Sequence, residues 1–111
     1  MQVLGESNPI YIYIIESIEH TSSSKDFIPC IQPMPFGSLA LYPDYCNFCK
    51  LRNISPISYL KFKRAFIDMF FTHFNVELQE VEMRDSSGKG YFGFKGIKIS
   101  TPSINTRTPI L

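Results

Sequence analysis

Three consecutive stretches decide how this chain folds: LYPDYCNFCKLRN (residues 41–53), SPISYLKFKRAFIDMFF (residues 55–71) and VELQEVEMRDSSGKGYFGFKGIKI (residues 76–99). The first stretch repeats apolar residues at spacings of three and four, and Pro43 falls in its first turn, where a missing N–H costs little. The second stretch begins beside Pro56 and repeats the helical spacing. The third alternates apolar and polar residues around a tip of Gly and Ser, which is typical of a β-hairpin. We therefore predict two helices followed by a hairpin.

The residues before these stretches add one more helix and a connector. Asn8 followed by Pro9 is typical of a helix start, so we predict a helix over residues 10–19. The β-branched and aromatic side chains of that segment also suit a strand, which is the competing interpretation. Residues 27–37 contain three prolines and are expected to form an extended connector.

These elements together predict a single α+β domain over residues 9–100. Its three helices and final β-hairpin have the order of a winged helix-turn-helix, a scaffold that binds nucleic acid in most cases and protein in others. The chain has 111 residues, 44% of them hydrophobic, which is enough for one packed core and too little for two. We expect residues 1–8 to form a flexible N-terminus and residues 101–111 to form a disordered tail.

Charge is arranged in blocks, although the net charge is only +1. Residues 45–67 carry five basic and no acidic side chains, and residues 86–111 carry four basic and no acidic side chains. Residues 1–44 and residues 68–85 each carry a net charge of −4. Both basic blocks fall on elements that a winged helix turns toward DNA, so duplex DNA is the partner that this pattern favours.

The candidate DNA-binding residues come from the third helix and from the hairpin. At about 100° per residue, Lys61 and Arg64 lie opposite the apolar face of that helix, with Lys63 on its flank. At the hairpin tip, small residues would let the backbone approach a phosphodiester closely, and a lysine there would release counterions on binding. The predicted DNA-binding residues are Lys61, Lys63, Arg64, Arg84, Ser87, Lys89 and Lys95. The competing interpretation of the helical cations is an ordinary solvated face.

The outgoing strand of the hairpin argues in the opposite direction. Glu77, Glu80 and Glu82 would lie near any phosphate that the wing touches, and each would repel it. This strand, together with the excess of aromatic residues, supports an alternative function, a protein-interaction winged helix that has lost DNA binding.

The cysteines and histidines do not form a convincing metal site. Cys46 and Cys49 make a C-x-x-C pair, but zinc requires four ligands, and the remaining Cys30, His20 and His73 are scattered along the chain. We expect buried free thiols, no metal and no cofactor. The sequence has neither a glycine-rich phosphate loop nor an arguable Ser-His-Asp set, so we expect no enzymatic activity and no small-molecule substrate. We find no signal peptide and no apolar run of membrane-spanning length, so no membrane association is expected.

Several motifs resemble the RFX-type winged helix. They are LYPDYCNFC (41–49), ISP (54–56), Phe62, FIDMF (66–70), SSGK (86–89) and FGFKGIK (92–98). The resemblance covers about residues 9–100 and implies a DNA-binding domain whose wing does much of the major-groove reading. Lys63 and Arg64 fall where that family has Gly-Lys, and Lys89 falls in the wing tip.

The strand leading into the wing separates this chain from the RFX transcription factors, which have an arginine-rich strand there. Here the strand reads VELQEVE (76–82). It is more similar to the divergent RFX-like domain in ARID-containing subunits of chromatin remodellers. A weaker similarity links the chain to the winged helix of viral and phage helicase-primases. The resemblance therefore implies double-stranded DNA binding by a nuclear transcription or chromatin protein, with other subunits of such a complex as further candidate partners. An accessory winged helix of a helicase-primase is the alternative.

Overall fold

A computed structural model of the chain describes residues 8–23, 25–35 and 39–100. The predictions for residues 1–7 and 101–111 lie outside these described residues. In chain order the elements are α1 (Pro9–Ser17), β1 (Ile18–His20), β2 (Phe27–Pro29), α2 (Leu41–Leu51), α3 (Tyr59–Phe74), β3 (Gln79–Arg84), β4 (Gly90–Lys95) and β5 (Ile97–Ile99). The α+β class is confirmed, with three helices and small antiparallel sheets among the described residues.

The first helix begins where the sequence predicts and ends earlier. The side chain of Asn8 accepts a hydrogen bond of 2.9 Å from the N–H of Ile10, so it caps α1 as expected. The helix stops at Ser17, and the prediction of helix for the last two residues of the segment 10–19 is wrong. Ile18 turns to extended backbone because it pairs with Ile99 of β5, and both side chains are buried.

The third helix extends three residues beyond its predicted end. It reaches Phe74 and closes at Asn75, which has left-handed backbone with a φ of 59°. The N–H of Asn75 donates to the carbonyl of Phe71 at 2.7 Å. Asparagine tolerates this conformation better than most residues, so it ends the helix as a glycine often does.

Aromatic side chains of α3 form the centre of the core. Phe62, Phe66 and Phe70 are fully buried on one face of the helix. Tyr45 of α2 stacks on Phe62 with ring centroids 4.4 Å apart, and Phe94 of β4 stacks on Phe66 at 5.9 Å. Because helix and sheet both pack on this face, the opposite face of α3 is turned outward.

The strands of the described residues form two small sheets. β4 lies between β2 and β3, antiparallel to both, and β1 pairs separately with β5. The segment 27–37, expected to be an extended connector, therefore contains a sheet strand. Gly96 lies between β4 and β5 with a φ of +79°, a conformation that glycine adopts at little cost. The chain can therefore leave one sheet and enter the other within a single residue.

Candidate nucleic-acid interface

Two of the predicted cations lie on the outward face of α3. Lys61 and Arg64 are both exposed, and neither makes an ion pair within the described residues. They are three positions apart and therefore neighbours on the helix surface. Both are available to an external anion.

Lys63, on the flank of the same helix, is paired. Its Nζ lies 2.7 Å from Oε2 of Glu80 in β3. Glu80 is directly opposite Phe94 in the β3–β4 register, so its side chain points to the α3 side of the sheet. This contact joins α3 to the hairpin, and it is worth at most about 1 kcal/mol because both groups are partly solvated.

Arg84 also has its bonding partners within the hairpin. Its guanidinium donates to the carbonyl of Gly88 at 2.9 Å and lies 3.4 Å from Oε1 of Glu82. Two of the three glutamates that the sequence sets against DNA binding, Glu80 and Glu82, are therefore partly neutralised by neighbouring cations. Glu77 has no basic partner in the part of the chain that the structure describes.

Asp85 organises the hairpin tip. Its Oδ1 accepts from the Ser87 hydroxyl at 2.6 Å, from the Ser87 N–H at 2.9 Å and from the Lys89 N–H at 3.0 Å. Its Oδ2 accepts from the Tyr91 hydroxyl at 3.0 Å. These bonds, that of the Ser87 hydroxyl above all, lower the pKa of Asp85 to about 2. The Ser87 hydroxyl proton is therefore used inside the tip.

The remaining two predicted residues lie in different places. Lys89 is exposed at the tip, with its ammonium 5.4 Å from the ring centroid of Tyr91. Lys95 follows Phe94 directly in β4, so its side chain is on the sheet face away from α3. The structure therefore places Lys61 and Arg64 next to each other on α3, Lys89 at the exposed hairpin tip, and Lys95 on the sheet face away from α3.

One feature of this region is not foreseen from the sequence. A cleft of about 540 Å³ lies between α3 and the hairpin, with the Lys63–Glu80 pair in its wall. Its apolar lining includes Phe92, which is 61% exposed, and Ile31, which is 55% exposed. Cys30 also lines it, and burial raises the pKa of its thiol. One wall of the cleft includes Ile31, which comes two residues after β2. The prolines of this segment gave no indication of that strand, so the sequence did not predict the cleft.

The structure reveals no metal centre or membrane span in the described part of the chain. No group of three or more His, Cys, Asp or Glu side chains there could hold a metal ion. None of the described helices has the length and apolarity needed to cross a bilayer. No protein-family model matches the chain, and comparisons with curated proteins and with solved structures find no significant similarity.

Proposed function

We propose that this domain is a winged helix-turn-helix that binds double-stranded DNA through the outward face of α3 and the tip of the β3–β4 hairpin. The order α1, β2, α2, α3, β3 and β4, with β4 between β2 and β3, supports the fold assignment. The motifs that resemble the RFX-type winged helix support the same assignment. We further propose that the domain is part of a nuclear transcription or chromatin protein.

A single observation carries the proposal. Lys61 and Arg64 lie side by side on exposed helix surface with no carboxylate partner among the described residues. Two glutamates of β3, in contrast, each have a cation of their own. The N-terminal half of α3 is thus positive toward solvent, which favours contact with phosphates.

The mechanism is electrostatic docking of a helix against the duplex. Lys61 and Arg64 would neutralise phosphates or reach base edges, because guanidinium and ammonium groups serve both purposes. Lys89 would add one more phosphate contact from the hairpin. Each neutralised phosphate releases counterions, so affinity must fall as salt rises.

The test is a titration of a fluorescent duplex with the full chain at several salt concentrations. We compare K61A/R64A with K25A/K50A, which removes the same charge from exposed positions outside α3 and the hairpin. K61A/R64A should reduce the slope of log affinity against log salt by about 2, since each lost phosphate contact removes about 0.9. K25A/K50A should leave the slope unchanged.

Two results would overturn the proposal. One is a wild-type chain that binds no duplex even at low salt, which would favour the protein-interaction alternative. The other is an equal loss of affinity in both double variants, since a response to net charge alone does not require the α3 face. Comparing a defined duplex with a random one would then measure how far base contacts contribute.

A further inference from the structure

The outward face of α3 also carries partly exposed apolar residues along one side, interrupted by Arg64. Leu60 is 70% exposed and Phe71 is 48% exposed, with half-buried Ile67 between them. Their spacing of seven and four residues places them on one side of the helix, next to Arg64. Exposed apolar residues aligned in this way are typical of a surface that contacts another protein.

Charge on this face is divided between the two ends of the helix. Lys61 and Arg64 are in the N-terminal half, whereas Asp68 is in the C-terminal half and Glu77, which follows the helix, lines the same depression as Asp68. None of the four makes an ion pair within the described residues. A face that is positive at one end and negative at the other is complementary to its own copy rotated by a twofold axis.

The shape of the face agrees with its charge. A depression of about 350 Å³ at the C-terminal end is lined by Ile67, Asp68, Phe71, Glu77 and Leu78. When two α3 helices are placed antiparallel with the axis midway between Arg64 and Asp68, Leu60 of each copy lies opposite this depression. Arg64 of each copy then lies opposite Asp68 of the other copy. Lys61 of each copy faces the end of the other α3 that is followed by Glu77.

We infer that the chain forms a symmetric homodimer through antiparallel packing of α3 against α3 of a second copy. The contact runs along a 16-residue helix, about 24 Å, so the interface is small and the association is weak. Because it uses Arg64, it competes with the DNA contact proposed above. The dimer itself does not depend on DNA binding.

The experiment measures the molar mass of the full chain by sedimentation over a wide range of concentrations. R64D and D68R each place like charges opposite one another twice across the axis, so each should raise the dissociation constant at least about tenfold. The double variant R64D/D68R restores both pairs and should return to within about threefold of wild type. L60Q should weaken association, and K50D, which reverses a charge on α2, should not.

Each outcome decides for or against the dimer. A wild-type chain that stays monomeric throughout, or a folded R64D/D68R variant that associates no better than the single variants, would overturn it. Circular dichroism checks folding, which these exposed positions should not disturb. DNA titration of R64D/D68R distinguishes the two proposals, because this variant should dimerise and bind duplex more weakly than wild type.

Discussion

The aromatic core, which includes Phe94 of β4, and the exposed part of the β3–β4 hairpin are held together in different ways. In the core, buried rings from α1, α2, α3 and β4 pack on one another, as in Tyr45 on Phe62 and Phe66 on Phe94. The hairpin is held by ladder hydrogen bonds, by exposed ion pairs such as Arg84–Glu82, and by the bonds of Asp85. A loss in the core should therefore affect the whole domain, whereas a loss in the exposed part of the hairpin should stay local.

The largest effect should come from a truncation in the core. Phe66→Ala removes a ring that contacts both α3 neighbours and Phe94, so the free energy of unfolding should fall by about 3–5 kcal/mol. Phe92→Ala is the matched hairpin control, because Phe92 is mostly exposed and should cost less than about 1 kcal/mol. Urea denaturation measures both, and equal losses would contradict the comparison.

A smaller effect should come from one hydrogen bond inside the core. The Tyr13 hydroxyl donates to Oδ2 of buried Asp44 at 2.7 Å. Burial is the main cause of the raised pKa of Tyr13, and the Asp44 carboxylate raises it further. Tyr13→Phe removes that donor and should cost about 1–3 kcal/mol. Tyr91→Phe removes the corresponding bond to Asp85 in the hairpin and should leave the urea midpoint unchanged. The prediction fails if the two variants lose the same stability.

A local effect should follow from Asp85→Asn at the hairpin tip. The lowered pKa of Asp85 means that its carboxylate stabilises the tip above its ordinary pKa of 3.8, and that this stabilisation is lost as the pH falls toward 2. Protection of the Ser87 and Lys89 N–H groups against hydrogen exchange, measured relative to unstructured amides at the same pH, should be low in Asp85→Asn and should fall as the pH approaches 2 in the wild type. Slow exchange of core amides should persist in both, and its loss would show that the tip is not independent.

Apart from the Tyr91→Phe control, the smallest effect on stability should come from Glu80→Gln, which removes a partly solvated ion pair. Unfolding should change by less than about 1 kcal/mol. If DNA binding occurs as proposed, the freed Lys63 can reach a phosphate, so the salt slope should steepen by about 0.9. The control Glu19→Gln removes the more distant pair with Lys98, 3.7 Å, and should leave the slope unchanged.

Local patterns predict the helices well and the strand pairings poorly. The start of α1 at Pro9 and the buried face of α3 depend on neighbours within a few residues, and both are found in the structure. The pairing of β1 with β5 joins Ile18 to Ile99, far apart in sequence, so no local pattern indicates it. The three prolines of residues 27–37 also argued against a strand there, yet β2 forms at the edge of its sheet, where proline is tolerated.

The candidate site shows the same limit. Periodicity places Lys61 and Arg64 outward and Lys63 on the flank, as the structure has them. The pairing of Lys63 with Glu80 depends on how β3 is registered against β4 and on the angle of the sheet to α3, which are tertiary properties. The face on which Lys95 lies, in contrast, follows from the alternation of side chains along β4. The contact of Arg84 with Gly88 joins residues only four apart, but it depends on the shape of the hairpin tip.

The antiparallel pairing of β1 with β5 has a consequence for synthesis on the ribosome. Ile97 is fully buried, and the N–H of Ser100 donates to the carbonyl of Ser17 at 2.7 Å. The last-made segment of the domain therefore completes the packing around the first-made helix. A nascent chain can form α2 and α3 early, but it cannot close its hydrophobic interior until residues 97–100 have emerged, so cotranslational folding must finish late.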